Sequence, residues 1–359
     1  MKKHRYIKAT FYSLSIIFVI AILTKIYQNT LLPMKYFYDS LNILSLMNGN
    51  YNADKTYVVT AKIFDAINIF GFSSLIQYSI TFGIIFNIII FVELLKRNKT
   101  YTTSQYIFIY VSTVLLNIYV FNLSKDIIQF TVFLLVYHGL IKDEKSNKEK
   151  LFFIVIVLII EALTYRMYYG IMAIMIMAIY IAYNMLLKNK KINKKIIFKT
   201  IMLCLLVFFT IVFIVSIISK ENYEQILNVR DVTNSARNES VDAVTIINDL
   251  LGKNTNFLIF ICNYIINFIR MALPFELLLK GIKYIPFVIY QIYVVYILLR
   301  LIKKISSDNI LLIATYLSFF MISVIFEPDF GSFVRHESAI SLILIEICKK
   351  GEKTNERED

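Results

Sequence analysis

The chain has 359 residues, of which 58% are apolar and 18% are charged, and its formal net charge is +13. Soluble domains have roughly 45–50% apolar and about 25% charged residues, so the composition excludes an ordinary soluble protein. Runs such as FIVIVLII lack the alternating polarity of a transmembrane β-barrel strand. The sequence therefore predicts an all-α fold, a polytopic transmembrane helix bundle that forms one integral membrane domain over residues 1–359.

Apolar runs long enough to cross a hydrocarbon core of about 30 Å follow one another along the chain. In chain order, the predicted spans are 11–32, 75–95, 104–121, 127–141, 151–164, 168–187, 197–218, 284–301, 309–326 and 335–348. The first span follows MKKHRY, as the apolar part of a signal peptide would. It is too long for that role and lacks a small-residue cleavage site, so we expect it to be retained. The sequence thus predicts about ten spans.

Lysine and arginine are concentrated in alternate connections between these spans. The segments 1–8, 96–99, 142–150, 188–199, 300–304 and 349–357 hold 24 of the 38 basic residues. The positive-inside rule places them, both termini and the tail 349–359 in the cytoplasm. The same bias accounts for the net charge, so nucleic acid is not expected as a partner. Residues 33–74 and 219–283 then become outer loops that are long enough to be structured.

Residues 255–275 within the second outer loop are apolar enough to form a span of their own. A full crossing there would place the basic segment 300–304 outside the cell, against the positive-inside rule. A re-entrant or interfacial helix on the outer face is therefore predicted. An eleventh span is the alternative, which gives a count of 10–11.

Ionisable residues recur at the predicted outer ends of several spans. They are Lys35 and Asp39 in MKYFYDSLN, Lys125 and Asp126 in NLSKDIIQ, Glu161 and Arg166 in EALTYRMYYG, Arg230 and Arg237 in NVRDVTNSARNES, and Glu327, Arg335 and His336 in EPDFGSFVRHES. Charge near a membrane is costly, so such residues either pair locally at helix ends or face a cavity. If they converge, they form an electropositive pocket in which arginine binds phosphate oxygens through paired hydrogen bonds.

The segment EPDFG is predicted to turn, because Pro328 restricts Glu327 and Gly331 permits a tight turn. The turn would aim Arg335 and His336 at the pocket. His336 would act there as a general base on a hydroxyl or donate a hydrogen bond to a phosphate, and capping of the last span is its alternative role. A metal site is not expected, since the outer face has one histidine and no Cys/His cluster. No cofactor is predicted.

This layout resembles the Wzy-type polymerases of O-antigen and capsular polysaccharides, including EpsG-like exopolysaccharide proteins. The likeness covers most of the chain and is carried by NLSKDIIQ, TYRMYYG, the loop with Arg230 and Arg237, and FGSFVRH. It implies a metal-independent glycosyltransferase of the bacterial cell membrane with its active site on the outer face. Such an enzyme moves the growing glycan from undecaprenyl pyrophosphate onto the non-reducing end of an incoming lipid-linked repeat unit. Membrane lipid, a chain-length regulator and a flippase are then expected partners.

The resemblance also implies roles for individual residues. The catalytic residues would be Arg335, which stabilises the leaving pyrophosphate, and His336, Glu327 or Asp39, one of which accepts the proton. The residues that bind pyrophosphate and sugar would be Lys125, Asp126, Arg166, Tyr169, Arg230 and Arg237. The chain departs from the family pattern in the segment 33–74, which carries lysines where family members often have arginines. A lipid-linked oligosaccharide flippase or transporter and an O-antigen ligase-like transferase are the alternative functions.

Overall fold

The computed structural model describes residues 2–49, 54–96, 101–186, 195–238 and 244–352. Within these ranges the chain forms fifteen α-helices and no β-strand, which confirms the predicted all-α fold. Contacts between residues divide the chain into two compact units. The first comprises Met1–Tyr137 and Arg335–Ile345, and the second comprises His138–Val334 and Glu346–Asp359.

The first unit begins with a long helix followed by two short ones. Its helices are α1 (Lys2–Leu31), α2 (Tyr38–Met47), α3 (Lys55–Ala66), α4 (Leu75–Lys96), α5 (Thr103–Leu115) and α6 (Lys125–Ile141), of which α6 runs on into the second unit. A 3₁₀ turn at Met34–Phe37 precedes α2, and a π-helical turn at Leu116–Val120 extends α5. Helix α1 packs against α4 and α5, and α2 packs against α3 and α4.

One face of α1 is buried along much of the helix. Leu14, Phe18 and Ala21 have the spacing of a single helical face and are buried. Lys25 and Gln28 continue the same face and are buried as well. The contact surface of α1 therefore changes from apolar to polar toward its C-terminal end.

The second unit is built around one fully buried helix. Its helices are α7 (Asn147–Thr164), α8 (Tyr168–Leu186), α9 (Ile196–Ile218), α10 (Lys220–Asn238), α11 (Phe257–Ala272), α12 (Ile285–Ile302) and α13 (Ile310–Phe326), together with the start of α14 (Phe330–Ala339) and the end of α15 (Ser341–Glu352). Every residue of α13 from Ile310 to Ile325 is buried. Helices α8, α10 and α11 pack against it, and α7 forms a hairpin with α8.

Among the described residues, six helices are long and apolar enough to cross a membrane. They are Thr10–Gln28, Leu75–Lys96, Thr103–Val120, Tyr168–Met185, Ile196–Ile218 and Ile282–Ile302. All six coincide with predicted spans, which supports the prediction of a helical membrane protein. Three further predicted spans correspond to α6, α7 and α13, and of these α6 and α13 have only 17 residues each.

The last predicted span, 335–348, is divided between two helices, and its crossing of the membrane stays a prediction. Helix α14 ends at Ala339, and α15 begins at Ser341. Two serines, Ser338 and Ser341, flank the break at Ile340. Serine hydroxyls compete for the hydrogen bonds of the helix backbone, which makes a break easier at this point.

Both long segments predicted as outer loops contain helices. Residues 33–74 include α2 and α3, and residues 219–283 include α10 and α11. Helix α11 has 16 residues, so it is about 24 Å long and falls short of a hydrocarbon core of about 30 Å. It buries Phe260, Tyr264 and Met271 on one face. The predicted re-entrant or interfacial helix and the alternative of an eleventh span both stay predictions.

In the EPDFG segment the helix begins before the glycine. Glu327 is extended, as expected before a proline, and α14 begins at Phe330. The Oδ1 atom of Asp329 accepts a hydrogen bond of 2.7 Å from the backbone N–H of Ser332 and so caps the helix. Gly331 lies inside α14 and does not form the tight turn that the sequence predicts. An aspartate side chain can cap a helix by accepting a hydrogen bond from the amide three residues later. Because Asp329 does so, the helix begins before Gly331.

Candidate functional site

Three helices of the first unit bring five of the predicted site residues together. Asp39 lies in the first turn of α2, Lys125 and Asp126 open α6, and Arg335 and His336 follow one another on α14. Tyr57 from α3, which the sequence analysis did not single out, joins them. We call these six side chains the Arg335 cluster.

Arg335 lies between two carboxylates. Its Nη1 atom is 2.8 Å from Oδ2 of Asp39, and its Nε atom is 3.3 Å from Oδ2 of Asp126. The Nε2 atom of His336 is 3.2 Å from the other oxygen of Asp126. Asp126 is almost completely buried, with 1% of its side chain exposed. One buried carboxylate thus lies within ion-pair distance of both the guanidinium and the imidazole.

Asp39 is held in its charged form by three neighbours. Burial alone would raise the pKa of Asp39, but Arg335, Lys125 and the hydroxyl of Tyr57 outweigh it and lower the pKa. The Tyr57 hydroxyl donates a hydrogen bond to Oδ1 of Asp39. The Lys125 ammonium lies 3.5 Å from the centre of the Tyr57 ring, as in a cation–π interaction.

The charges of the cluster balance, whereas the sequence predicted an electropositive pocket. The cations of Lys125 and Arg335 face the carboxylates of Asp39 and Asp126. About a quarter of the Arg335 and Asp39 side chains is exposed, so a ligand can reach this ion pair from the surface. An anionic ligand that binds Arg335 would compete with Asp39 for it.

The second unit holds Arg166 and Tyr169 in an aromatic group. The Nη1 atom of Arg166 donates a hydrogen bond of 2.8 Å to the hydroxyl of Tyr168, whose ring stacks on Phe326 at 5.4 Å. Tyr169 is fully buried, and its ring lies 4.7 Å from that of Tyr168. Tyr168 is therefore more exposed than Tyr169. Glu327 is also in this unit, where it accepts a hydrogen bond from the hydroxyl of Ser332.

Arg230 of the second unit is 5% exposed and bound to backbone groups. Its guanidinium donates hydrogen bonds to the carbonyl oxygens of Ile247 and Val324, and its Nε atom is 3.9 Å from Oδ1 of Asp249. Burial lowers the pKa of Arg230, although Asp249 and Glu327 oppose the shift. Arg237 lies on the same helix, but its side chain is outside the described part of the structure. These contacts give Arg230 a structural role whatever ligand the unit binds.

A buried polar network in the first unit was missed by the sequence analysis. Its members are Lys25, Gln28, Ser79, Asn87, Asn117 and Asn122. The signal was present in the sequence, because Lys25 and Gln28 extend the helical face of Leu14, Phe18 and Ala21.

Within the described ranges, no group of three or more His, Cys, Asp or Glu residues is placed to hold a metal ion. Comparison of the chain with protein-family models, with curated proteins and with solved structures gives no match. The function must therefore follow from the chemistry of the residues themselves.

Proposed function

We propose that the protein is a membrane glycosyltransferase that polymerises lipid-linked oligosaccharide repeat units. The observation that carries the proposal is the Arg335 cluster, in which a guanidinium, an ammonium, an imidazole and two carboxylates meet in a chain rich in membrane-spanning helices. These are the groups that transfer of a sugar from a pyrophosphate requires. The donor is a glycan on undecaprenyl pyrophosphate, and the acceptor is the non-reducing end of an incoming repeat unit.

The reaction forms one glycosidic bond and breaks one sugar–phosphate bond. The acceptor hydroxyl oxygen attacks the anomeric carbon of the donor sugar. The bond from that carbon to the pyrophosphate oxygen breaks, and its electron pair leaves with undecaprenyl pyrophosphate. The hydroxyl proton passes to a base on the protein and then to solvent. Arg335 and Lys125 stabilise the negative charge that develops on the leaving oxygen.

Two groups of the cluster are suited to accept the proton. His336 is oriented by the buried Asp126 at 3.2 Å, as a general base needs. Asp39 is a carboxylate whose ion pair with Arg335 is accessible from the surface. A pyrophosphate that takes over Arg335 releases Asp39 close to the reacting hydroxyl. In this scheme substrate binding itself exposes a base.

The remaining predicted residues have supporting roles in the proposal. The resemblance assigns Arg166, Tyr169 and Glu327 to the same substrate, and in the second unit Arg166 lies beside the aromatic ring of Tyr168. The proposal places the site on the outer face of the bacterial cell membrane, with about ten spans and both termini in the cytoplasm. A chain-length regulator and a flippase are the proposed partners.

The test is the length of the surface glycan in cells that carry Arg335→Ala, with membrane abundance measured through an epitope tag. The matched control is Arg270→Ala, because Arg270 also forms an ion pair of 2.8 Å, with Glu276. We expect single repeat units with Arg335→Ala at normal protein abundance, and long polymer with the control. Full-length polymer at normal abundance of Arg335→Ala would exclude this arginine from the reaction. Repeat units trapped on the cytoplasmic side would instead identify a flippase.

A further inference from the structure

Lys25 is a buried ionisable residue on a helix that is long and apolar enough to span the membrane. It lies on α1 six residues before Leu31, about 9 Å from the helix end, and 1% of it is exposed. Its ammonium lies 2.8 Å from the carbonyl oxygen of Asn117, 2.8 Å from Oδ1 of Asn122 and 3.3 Å from Oε1 of Gln28. A lysine ammonium has three N–H donors, so these bonds use all of them.

All three acceptors are uncharged. In the part of the chain that the structure describes, no carboxylate lies within ion-pair distance of Lys25. An ionisable group in a membrane segment is costly and usually serves a function. Polar networks of this kind are often no more stable than an apolar replacement of the same volume. Stability alone therefore does not explain a lysine at this position.

The contacts of Lys25 converge on the chain segment that leads into the Arg335 cluster. The Oδ1 atom of Asn122 accepts hydrogen bonds from Lys25, from Nε2 of Gln28 at 2.7 Å and from the hydroxyl of Ser79 at 3.1 Å. Asn122 lies three residues before Lys125 and four before Asp126. The network thus ties α1 and α4 to the turn 121–124, from which α6 starts.

The π-helical turn supplies the other acceptor. In a regular helix the carbonyl of Asn117 would accept the backbone N–H of Phe121. Here that N–H bonds to Leu116, and the N–H of Asn122 bonds to Val120. The carbonyl of Asn117 is therefore available to Lys25, as often happens where a π turn interrupts a helix at a functional site.

Gly83 on α4 provides the space for the Lys25 side chain. A Cβ atom at Gly83 would lie 2.5 Å from Cγ of Lys25, closer than such atoms can approach. Both ends of that side chain are fixed, since its backbone belongs to α1 and its ammonium is bound. The position of the Lys25 side chain therefore requires a glycine at position 83.

We propose that Lys25 is a positioning residue, which fixes the turn 121–124 and thereby places Lys125 and Asp126 for Arg335 and His336. The hydrogen bonds that join α1 to this turn, which we call the lock, do not depend on any activity. The catalytic consequence rests on the proposed function. Lys25 acts through Asn117 and Asn122 and does not itself contact the substrate.

Hydrogen–deuterium exchange of the purified full-length protein tests the lock. In Lys25→Met we expect the amides of residues 121–126 to exchange about tenfold faster than in the wild type, because the turn loses its hydrogen bonds. The control is Thr113→Val, which removes a buried hydroxyl that bonds only within its own helix, to Ile109 at 2.6 Å. Unchanged exchange in a folded Lys25→Met protein would overturn the proposal. If that variant does not fold, Gly83→Ala, which displaces the lysine and keeps every polar partner, must give the same faster exchange.

Polymerisation of lipid-linked repeat units in proteoliposomes tests the positioning. A 1 Å misplacement of reacting groups can cost about 100-fold in rate, so we expect kcat to fall by about that factor in Lys25→Met with KM little changed. Asn122→Asp should keep most of the activity, since a carboxylate oxygen still accepts from Lys25, whereas Asn122→Leu should not. Faster exchange with an undiminished kcat would overturn the positioning role. A wild-type protein without polymerase activity would overturn the proposed function, and the exchange result would still decide the lock.

Discussion

Asp126 is the residue on which the geometry of the Arg335 cluster depends. Its carboxylate is 1% exposed and pairs with Arg335 through one oxygen and with His336 through the other. It also lies in the first turn of α6, where the helix dipole favours a negative charge. These three interactions offset the cost of burying the charge. The result is that Arg335 and His336, adjacent in sequence, are both held toward one carboxylate.

The ion pair of Asp39 predicts a loss of stability in acid. The pKa of Asp39 is lowered below its ordinary value of 3.8, so its contribution is complete above that value and is lost as the pH falls through the folded-state pKa. We expect Asp39→Asn to lower the melting temperature by about 2 °C at pH 6 and to have a smaller effect at pH 3, which lies below the ordinary pKa of the group. Asp65→Asn is the control, because Asp65 is exposed on the neighbouring α3. An equal effect of Asp39→Asn at both pH values would contradict this account.

At the scale of elements, the second unit depends on the contact between the polar helix α10 and the apolar helix α13. Helix α13 is apolar and buried throughout, whereas α10 is polar and carries Arg230. The Arg230 guanidinium reaches a carbonyl near the C-terminal end of α13, a helix end at which carbonyl groups otherwise lack partners. A cation is favourable there because of the helix dipole. Arg230 therefore ties α10 to the core helix.

Replacement of Arg230 should destabilise the protein rather than change its specific activity. Arg230→Met leaves the buried Asp249 without its cation, and loss of one partner of a buried pair costs about 3–5 kcal/mol. We expect low membrane abundance and a lower unfolding temperature in detergent. A stable, abundant Arg230→Met protein that makes no polymer would instead place Arg230 in the active site, as the resemblance implies.

The elements that could be predicted from the sequence are those that a local pattern determines. Apolar runs such as those of α4 and α9 are long enough to define helices without tertiary information. The start of α14 at Phe330 depends instead on its cap, Asp329, whereas the sequence analysis placed the turn at Gly331. The π turn that precedes Asn122 has no local signature, because it is stabilised by Lys25 from a distant helix.

Only part of the membership of the candidate site was predictable. The repeated charges near span ends indicated Asp39, Lys125, Asp126, Arg335 and His336, and these five do lie together. Their pairing could not be predicted, since it requires α2, α6 and α14 to meet. Tyr57 was overlooked because a tyrosine in an amphipathic helix has no distinctive pattern. The balance of charge in the cluster follows from that pairing.

At the scale of the whole molecule, the number of membrane crossings depends on the short helices. Six described helices can cross by length and composition, and the proposed ten spans require α6, α7, α13 and the segment 335–348 to cross as well. The connection between α6 and α7 distinguishes the two arrangements. With ten spans, this connection is cytoplasmic. With six spans, α6 and α7 do not cross, so the connection stays on the outer face, where α5 ends.

Labelling of single cysteines in intact cells decides between these arrangements. Cys204, Cys262 and Cys348 are first replaced by alanine. We expect a cysteine at Lys145 to resist a membrane-impermeant maleimide and one at Ser73 to react, since both positions are exposed but on opposite faces of the ten-span arrangement. Reaction of both positions would show that α6 and α7 do not cross.

The central claim is that the Arg335 cluster forms glycosidic bonds at the expense of a lipid-linked pyrophosphate. The most direct measurement uses the purified protein in proteoliposomes with undecaprenyl-pyrophosphate-linked repeat units isolated from the host cells. Product length and released undecaprenyl pyrophosphate are then measured together. We expect the wild type to release one molecule of undecaprenyl pyrophosphate for each new glycosidic linkage. With Arg335→Ala we expect no new linkage and no released undecaprenyl pyrophosphate. Transfer of the lipid-linked unit across the bilayer without any new linkage would contradict it.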